Sequence, residues 1–404
     1  MVNDHEAACT FSGSTAPNFL RKSIYNLFRG YGVQFCPTSQ LISSKGYPVE
    51  EYTVQTADGY LLGVQRIPHG RNGPRNFHGK QEVVFLQHGL LSAASDWVIN
   101  MPNESLGYIL ADLGYDVWLG NTRGNTYSRR HIKLTPKMKE FWDYSFAEMA
   151  EYDHPAMIDF ILNKTGQEKL SYIGHSQGTT SPFAMLSDKT EYNDKLKIFI
   201  ALGPVTTCGY ITSPIRYLAP FTKEIDFLAS LIGIDEFLPN GPFMKFLSEY
   251  VCDEPIRWIC SDIVFAMFGV DLPELNETRM GVYAAHTPAG SSAKSVAHYG
   301  QLVESGKFNK YDYGKKENLV RYGQETPPEY DLTKITTPVA LMWGLNDDLA
   351  DPVDVGIMIP KLKSLVDNYQ VPLPEFNHGD FVLAIHAKTL LYDEILKLLS
   401  KYAV

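Results

Sequence analysis

A serine between two glycines, a later aspartate and a still later histidine are the residues of this chain whose types and order could do covalent chemistry. The stretch Leu170-Ser-Tyr-Ile-Gly-His-Ser176-Gln-Gly178 ends an apolar, partly β-branched run in Gly-x-Ser-x-Gly, and Thr180 to Leu186 follows with helix-forming residues. Strand, sharp turn and helix are the setting in which a serine hydroxyl is presented at the apex of an elbow. Gly174 and Gly178 leave room for a turn so tight that Cβ atoms there would collide. The first N–H groups of the following helix then stand ready to stabilise an oxyanion.

A serine hydroxyl is a poor nucleophile until a base takes its proton, and the base needs a partner that fixes its tautomer. On a sheet that presents its serine this way, acid and histidine follow in that order at the ends of later strands. Asp347 stands just after the apolar run Pro338 to Trp343, and His378 follows the extended stretch Tyr369 to Phe376. Asp348, Asp351 and Asp354 compete for the acid's place, and Asp351-Pro352 reads as a helix N-cap. His386 competes with His378 but falls within the final helical pattern. An oxyanion needs two backbone donors. The N–H of Gln177 is one, and the loop His88-Gly89-Leu90-Leu91 supplies the other, from Leu90 with Leu91 in reserve.

These side chains need a frame. Glu51 to Gln55 and Leu61 to Ile67 alternate around Ala57-Asp-Gly59, which predicts a hairpin. Glu82 to Gln87, Tyr115 to Leu119, Leu170 to Ile173, Ile198 to Leu202 and Pro338 to Trp343 read as core strands. Ser105 to Leu113, Phe146 to Leu162 and Gln177 to Leu186 read as helices between them. A hairpin followed by alternating β and α units implies an α/β fold with a mostly parallel sheet and helices on both faces. From about Thr206 to Asp331 the rhythm breaks into a proline-punctuated segment rich in Phe, Leu, Ile and Tyr. It reads as an inserted helical cap, part of whose apolar surface would form a lid over an apolar cleft. The expected division is an extension over 1–36, a core over 37–205 and 332–404, and a cap over 206–331. In the extension, Phe19 to Phe28 has the pattern of one or two helical turns.

Composition narrows the function. A formal charge of −10 with no Lys/Arg block argues against a nucleic-acid partner. Five cysteines (Cys9, Cys36, Cys208, Cys252, Cys260) are too few for a disulfide scaffold and lack metal-binding spacing. Cys252 and Cys260 are near enough for a local bridge in an oxidising compartment, and reduced thiols are the alternative. Asn103-Glu-Ser, Asn163-Lys-Thr and Asn276-Glu-Thr permit glycosylation. The N-terminus shows no basic region followed by an apolar core, so no signal peptide is read. No apolar run reaches the length of a membrane span. Without an H-E-x-x-H, a phosphate-cradling glycine loop or a dinucleotide fingerprint, neither metal nor organic cofactor is expected.

Several longer motifs occur together: Gln87-His-Gly-Leu-Leu91, Tyr115-Asp-Val-Trp-Leu-Gly-Asn-Thr-Arg-Gly-Asn125, Gly174-His-Ser-Gln-Gly-Thr179 and Asn346-Asp-Asp-Leu-Ala-Asp351. With Gly46-Tyr-Pro-Val-Glu-Glu51 and Thr287-Pro-Ala-Gly-Ser291, the chain from about Pro37 to Leu399 resembles the acid lipase family, which includes gastric and lysosomal acid lipases. The resemblance implies an α/β-hydrolase with an eight-stranded sheet and a mobile lid. It implies Ser176 as nucleophile, Asp347 as acid, His378 as base, and Leu90 and Gln177 as oxyanion donors. It further implies a Cys252–Cys260 disulfide, glycans at Asn103 and Asn276, and a secreted or lysosomal enzyme cleaving neutral-lipid esters at a lipid–water interface. The first 36 residues do not share the likeness. The alternatives are an esterase or acyltransferase on the same machinery, or a lipid carrier that has lost the chemistry.

Overall fold

The computed structural model describes residues 36–74, 81–221, 236–240, 268–271 and 273–403. The expectations for Cys9, for a Phe19–Phe28 turn, for most of the stretch 221–251 and for the Cys252–Cys260 bridge lie outside them.

Side chains alternate between the faces of a strand, so a strand covered on both sides is apolar throughout and an edge strand is apolar on one side only. β1 (Glu50–Gln55) and β2 (Tyr60–Ile67) form the expected hairpin. β3 (Val83–Gln87), β4 (Asp116–Gly120) and β5 (Leu170–His175) are buried along their whole lengths. β6 (Leu196–Leu202) and β7 (Val339–Trp343) are nearly so, whereas β8 (Leu365–Gln370) alternates between half-buried and exposed residues. The order is β1-β2-β4-β3-β5-β6-β7-β8, with a two-residue strand, Arg130–His131, beside β2 as a ninth. Both β2 ladders on the main path, to β1 and to β4, are antiparallel, and every later pair is parallel.

The two faces fill separately. Phe85, Trp118, Tyr172, Phe199 and Leu341 point one way. They pack on α2 (His154–Thr165) through Met157, Ile158 and Ile161, and on α3 (Gln177–Asp188) through Phe183 and Leu186. Val84, Leu86, Val117, Leu119, Ile173, Ile200 and Met342 point the other way. There they meet Leu106 and Leu110 of α1 (Leu106–Leu113) and Ile395, Leu398 and Leu399 of the last helix, Asp393–Lys401. Each large side chain so buried contributes about 1.5–3 kcal/mol relative to exposure.

Register decides where chemistry can happen. Gln87 pairs with Gly174, His175 with Leu202, Leu202 with Met342, and Trp343 with Gln370. The carboxyl ends of β3, β5, β6, β7 and β8 therefore share one edge, where open α/β sheets place their ligands.

Three expectations need correcting. The last strand ends at Gln370 rather than Phe376, because Pro372 and Pro374 have no N–H to give a ladder. The helix expected over Phe146 to Leu162 opens on a Ser145–Glu148 capping box and passes through a π turn, Met149–Asp153, before α2. His386 sits in a turn ahead of a π segment, Lys388–Tyr392, not in the final helix. Within 206–331 the described α-helices are Met280–His286, Ala293–Ser305 and Lys315–Tyr322, with 3-10 turns at Pro214–Phe221 and Glu277–Arg279. A two-residue antiparallel pair, Glu236–Phe237 with Ser291–Ser292, joins them. Leu302, Phe308 and Tyr330 from this interval belong to the same buried cluster as β4 and β5, so its later part shares the core of the sheet.

Candidate active site

Ser176 has φ 55° and ψ −120°, a backbone that costs a non-glycine residue on the order of 1–3 kcal/mol and persists only when its surroundings enforce it. Its N–H donates to Leu202 O at 3.0 Å, and its carbonyl accepts from the Thr179 N–H at 2.7 Å. Tyr172, underneath, donates its hydroxyl to Gly178 O at 3.1 Å. A Cβ at residue 174 would lie 1.9 Å from Gly178 O, and one at residue 178 would lie 2.4 Å from Gln87 O. The turn closes because both positions are glycine.

His378 and Asp347 meet at the same edge. The imidazole Nδ1 lies 2.9 and 2.8 Å from the two oxygens of Asp347, and both residues are buried. A carboxylate only accepts, so Nδ1 carries a proton, and in the neutral ring Nε2 is the basic atom. That Nε2 is buried and has no hydrogen-bond partner among the described residues. A Cβ added to Gly203, the residue after Leu202, would lie 3.2 Å from His378 Cε1 and Nδ1. The ring thus packs over the backbone beside the one that holds the Ser176 N–H. His175 supports it from below, donating Nε2–H to His378 O at 2.9 Å with ring centroids 4.8 Å apart.

Competing carboxylates have other partners. Asp351 caps the helix Pro352–Met358 by accepting from the Val353 N–H at 2.8 Å. Asp354 accepts from Thr207 Oγ1, Gly209 N–H and Tyr210 N–H. Asp348 accepts from the Thr212 hydroxyl. Asp347 itself accepts from the N–H groups of Leu349 at 2.9 Å and Ala350 at 2.7 Å, which fix its carboxylate. His386 is paired with Glu274 through Nδ1 at 2.9 Å, on a mostly exposed side chain.

The loop after β3 faces Ser176 from the opposite side. A Cβ on Gly89 would lie 3.0 Å from Ser176 Cβ, so the backbone carrying the Leu90 N–H runs directly beside the elbow. Leu91 has φ 60° and its carbonyl accepts from the Ala289 N–H at 2.6 Å. Neither the Leu90 N–H nor the Gln177 N–H, the first of its helix, has an acceptor among the described residues. His88 pins this loop to the one after β4, donating Nδ1–H to Gly89 O at 2.7 Å and accepting the Thr122 N–H on Nε2 at 3.2 Å. Burial pushes its pKa down to about 4, so the ring is neutral. Beneath it, Arg123 is fully buried, bonded to Asp153 at 2.6 and 2.8 Å and to Asp58 at 2.7 and 3.1 Å.

The sequence matches the family described as a partial alpha/beta-hydrolase lipase region over residues 38–101 and that of the alpha/beta hydrolase fold over residues 82–228. It is 46% identical over 370 residues to gastric triacylglycerol lipase of Rattus norvegicus, covering 90% of this chain and 91% of that protein. To human lysosomal acid lipase/cholesteryl ester hydrolase it is 44% identical over 366 residues, covering 90% of each. The chain belongs to the acid lipase family. Lipase lipl-1 of Caenorhabditis elegans is 44% identical over 364 residues, covering 89% of this chain and 90% of that protein. The fold alone is shared with a solved chain from Sulfolobus solfataricus (TM-score 0.55, 14% identity, 87% of this chain and 99% of that one). A thermophilic esterase from Thermogutta terrifontis shares it likewise (TM-score 0.50, 14% identity, 88% and 100%).

In this acid lipase the three sequon asparagines reach solvent: Asn103 and Asn163 are exposed, and Asn276 is half-buried with its Oδ1 accepting from Thr278 at 2.6 Å. Cys208 is a buried free thiol, and Cys36 is disulfide-bonded. No helix of the described residues is long and apolar enough to cross a membrane. Sequence reasoning passed over His88 and Arg123 as parts of the site's frame, and Asp380 entirely. His88 and Arg123 both lie within the recognised motifs, and the missing signal was which buried polar partner each one meets.

Proposed function

We propose that this protein hydrolyses carboxylic ester bonds of neutral lipids, with Ser176 as nucleophile, His378 as general base and acid, and Asp347 as its orienting partner. The observation that supports this most directly is the His378–Asp347 pair, with a proton on Nδ1 and an unpartnered Nε2 beside the Ser176 elbow. Nε2 takes the hydroxyl proton as Oγ attacks the ester carbonyl. The N–H groups of Leu90 and Gln177 receive the negative charge on the carbonyl oxygen. When the tetrahedral intermediate collapses, the C–O bond to the alcohol breaks, and the alcohol leaves with the proton from His378. Water then attacks the acyl-enzyme by the same relay in reverse order and releases the fatty acid.

Gastric triacylglycerol lipase and lysosomal acid lipase/cholesteryl ester hydrolase, to which this chain is so similar, favour triacylglycerols and sterol esters as substrates. The interval 206–331 would serve as cap and lid, opening where the protein meets a lipid surface. The disulfide at Cys36 suits the oxidising compartment of a secreted or lysosomal protein. Glycans would sit on Asn103 and Asn276. The charge of −10 supports a partner other than nucleic acid.

The test is Ser176→Ala assayed on emulsified triacylglycerol and on short soluble esters. A loss of about 10³-fold or more in kcat with an unchanged fold is expected on both. Near-wild-type hydrolysis by that variant, or failure of a serine-directed phosphonate to label Ser176 in the folded wild type, would overturn the assignment. A preference for the soluble ester would reject the lipase reading and keep the serine mechanism.

A further inference from the structure

The stretch Asn121-Thr-Arg-Gly-Asn125, just after β4, carries two buried asparagines, and neither has a part in the chemistry described so far. Both reach across to the loop after β3. Asn125 Nδ2 donates to Ser92 O at 3.3 Å and to His88 Nε2 at 3.1 Å. It also donates to Asn121 Oδ1 at 3.0 Å, so the amide hydrogens of Asn125 are shared among three acceptors. Asn121 Oδ1 accepts in turn from the Ala94 N–H at 3.0 Å. Asn121 Nδ2 reaches back to β2, donating to Gly63 O at 3.0 Å and to Gln65 Oε1 at 2.9 Å. The loop that carries Leu90 is therefore gripped at residues 88, 92 and 94.

Backbone groups fix which way each amide turns. The Tyr127 N–H can only donate, and it lies 3.0 Å from Asn125 Oδ1, so Nδ2 is the atom that faces Ser92 O. The Ala94 N–H likewise makes Asn121 Oδ1 an acceptor, and the Gly63 carbonyl makes Asn121 Nδ2 a donor. His88 Nε2, met by the Thr122 N–H and by Asn125 Nδ2, can only accept, which leaves the ring proton on Nδ1 for Gly89 O at 2.7 Å. The Gly89 carbonyl and the Leu90 N–H belong to one planar trans peptide and point in opposite directions. Holding Gly89 O thus sets the direction of the Leu90 N–H. A Cβ on Gly89 would lie 3.5 Å from Ser176 Oγ, so this peptide stands beside the reacting atom. The next two carbonyls are held as well, Leu91 O by the Ala289 N–H at 2.6 Å and Ser92 O by Asn125.

We propose that Asn125, supported by Asn121, is a positioning residue for the oxyanion donor of Leu90. It acts through His88 and Ser92 rather than on the reacting atoms. A donor stabilises the oxyanion only from about 2.7–3.1 Å, and a misplacement of about 1 Å can cost on the order of 10²-fold in rate. Gripping the loop on both sides of Leu90 keeps that N–H in place while the charge develops. An aspartate at 125 would have nearly the same shape, but ionised it only accepts, so it would set oxygen against Ser92 O and Asn121 Oδ1. This inference rests on the roles of Ser176 and Leu90 given above.

The test uses the full-length protein with a soluble p-nitrophenyl ester and its thionoester, in which sulfur replaces the carbonyl oxygen. Sulfur accepts hydrogen bonds weakly, so the thionoester draws little from the oxyanion donors. In Asn125→Asp and Asn125→Ala, kcat on the oxygen ester should fall by roughly ten- to a hundredfold, with KM within about threefold of wild type. On the thionoester the same variants should lose less than about threefold in kcat, because the two changes remove one interaction. A fault in folding alone would lower both esters together. Equal losses on the two esters, a change confined to KM, or wild-type kcat on the oxygen ester would overturn the proposal. Circular dichroism and the urea midpoint show which variant is folded, and either one decides. If neither folds, Asn125 serves stability and the proposal falls. Ser176→Ala, run beside them, separates the two readings. Near-wild-type hydrolysis by Ser176→Ala would end the functional reading and the positioning role with it. If Ser176→Ala is inactive while the Asn125 variants lose equally on both esters, the functional reading stands and the positioning role alone has failed.

Discussion

The two flanks of Ser176 hold their polar groups in opposite ways. On the β4 side, Arg123 is a permanent cation met by two carboxylates, and His88 above it is neutral and donates and accepts in one tautomer. On the β7–β8 side, Asp271 and Asp380 are buried and pair with no lysine or arginine among the described residues, and burial holds both carboxyls above the ordinary range. Protons therefore act on the flanks with opposite sign. His88, whose folded pKa is about 4 against an ordinary 6.5, contributes stability that is full above 6.5 and drains as pH falls toward 4. The carboxyl pair contributes stability that is full at low pH and drains as pH rises. One flank is a fixed frame for the oxyanion donors. The other ties a raised carboxyl to the loop of the base through the Asn377 N–H.

The comparison can be broken in four places. Asp347→Asn would turn an amide toward Nδ1 and favour the wrong imidazole tautomer, and kcat should fall by about 10⁴-fold. A drop of less than about tenfold would remove Asp347 from the pair. Arg123→Met would leave Asp153 buried without its cation, at a cost of about 3–5 kcal/mol in urea unfolding at neutral pH. A loss under about 1 kcal/mol would show that the β4 flank does not depend on its permanent charge. His88→Gln, which cannot be charged, should make the acid-side fall in stability shallower by on the order of 1–2 kcal/mol. An unchanged slope would assign that fall to the other buried histidines, such as His286 and His298. The smallest effect is expected for Asp351→Ala, which removes an N-cap and should cost about 0.5–1 kcal/mol with kcat little changed. A large loss of kcat there would mean that the acid loop responds as one unit.

Much of this frame was legible in the chain itself. The glycines around Ser176 fix a strand–turn–helix because a Cβ at either would strike backbone, a constraint only five residues long. Strands β3 to β7 were readable because they are covered on both faces and therefore apolar throughout. Their common edge, and with it the order serine, aspartate, histidine, follows from alternating β and α units. The end of β8 was missed because two prolines were counted inside an extended run. The place of His386 was missed because a π turn shifts the helical period ahead of the last helix. Asp348, Asp351 and Asp354 could not be told from Asp347 by spacing, since each lies within a few residues of the same strand end. Only the folded chain assigns each its hydrogen bonds. The bond from the His378 N–H to Phe268 O was beyond reach for a simpler reason. It joins positions more than a hundred residues apart, and no local pattern records which backbone groups meet there. Residue type and local period set the elements and their order, while long-range packing alone decides which polar groups share a buried site and what charge they keep there.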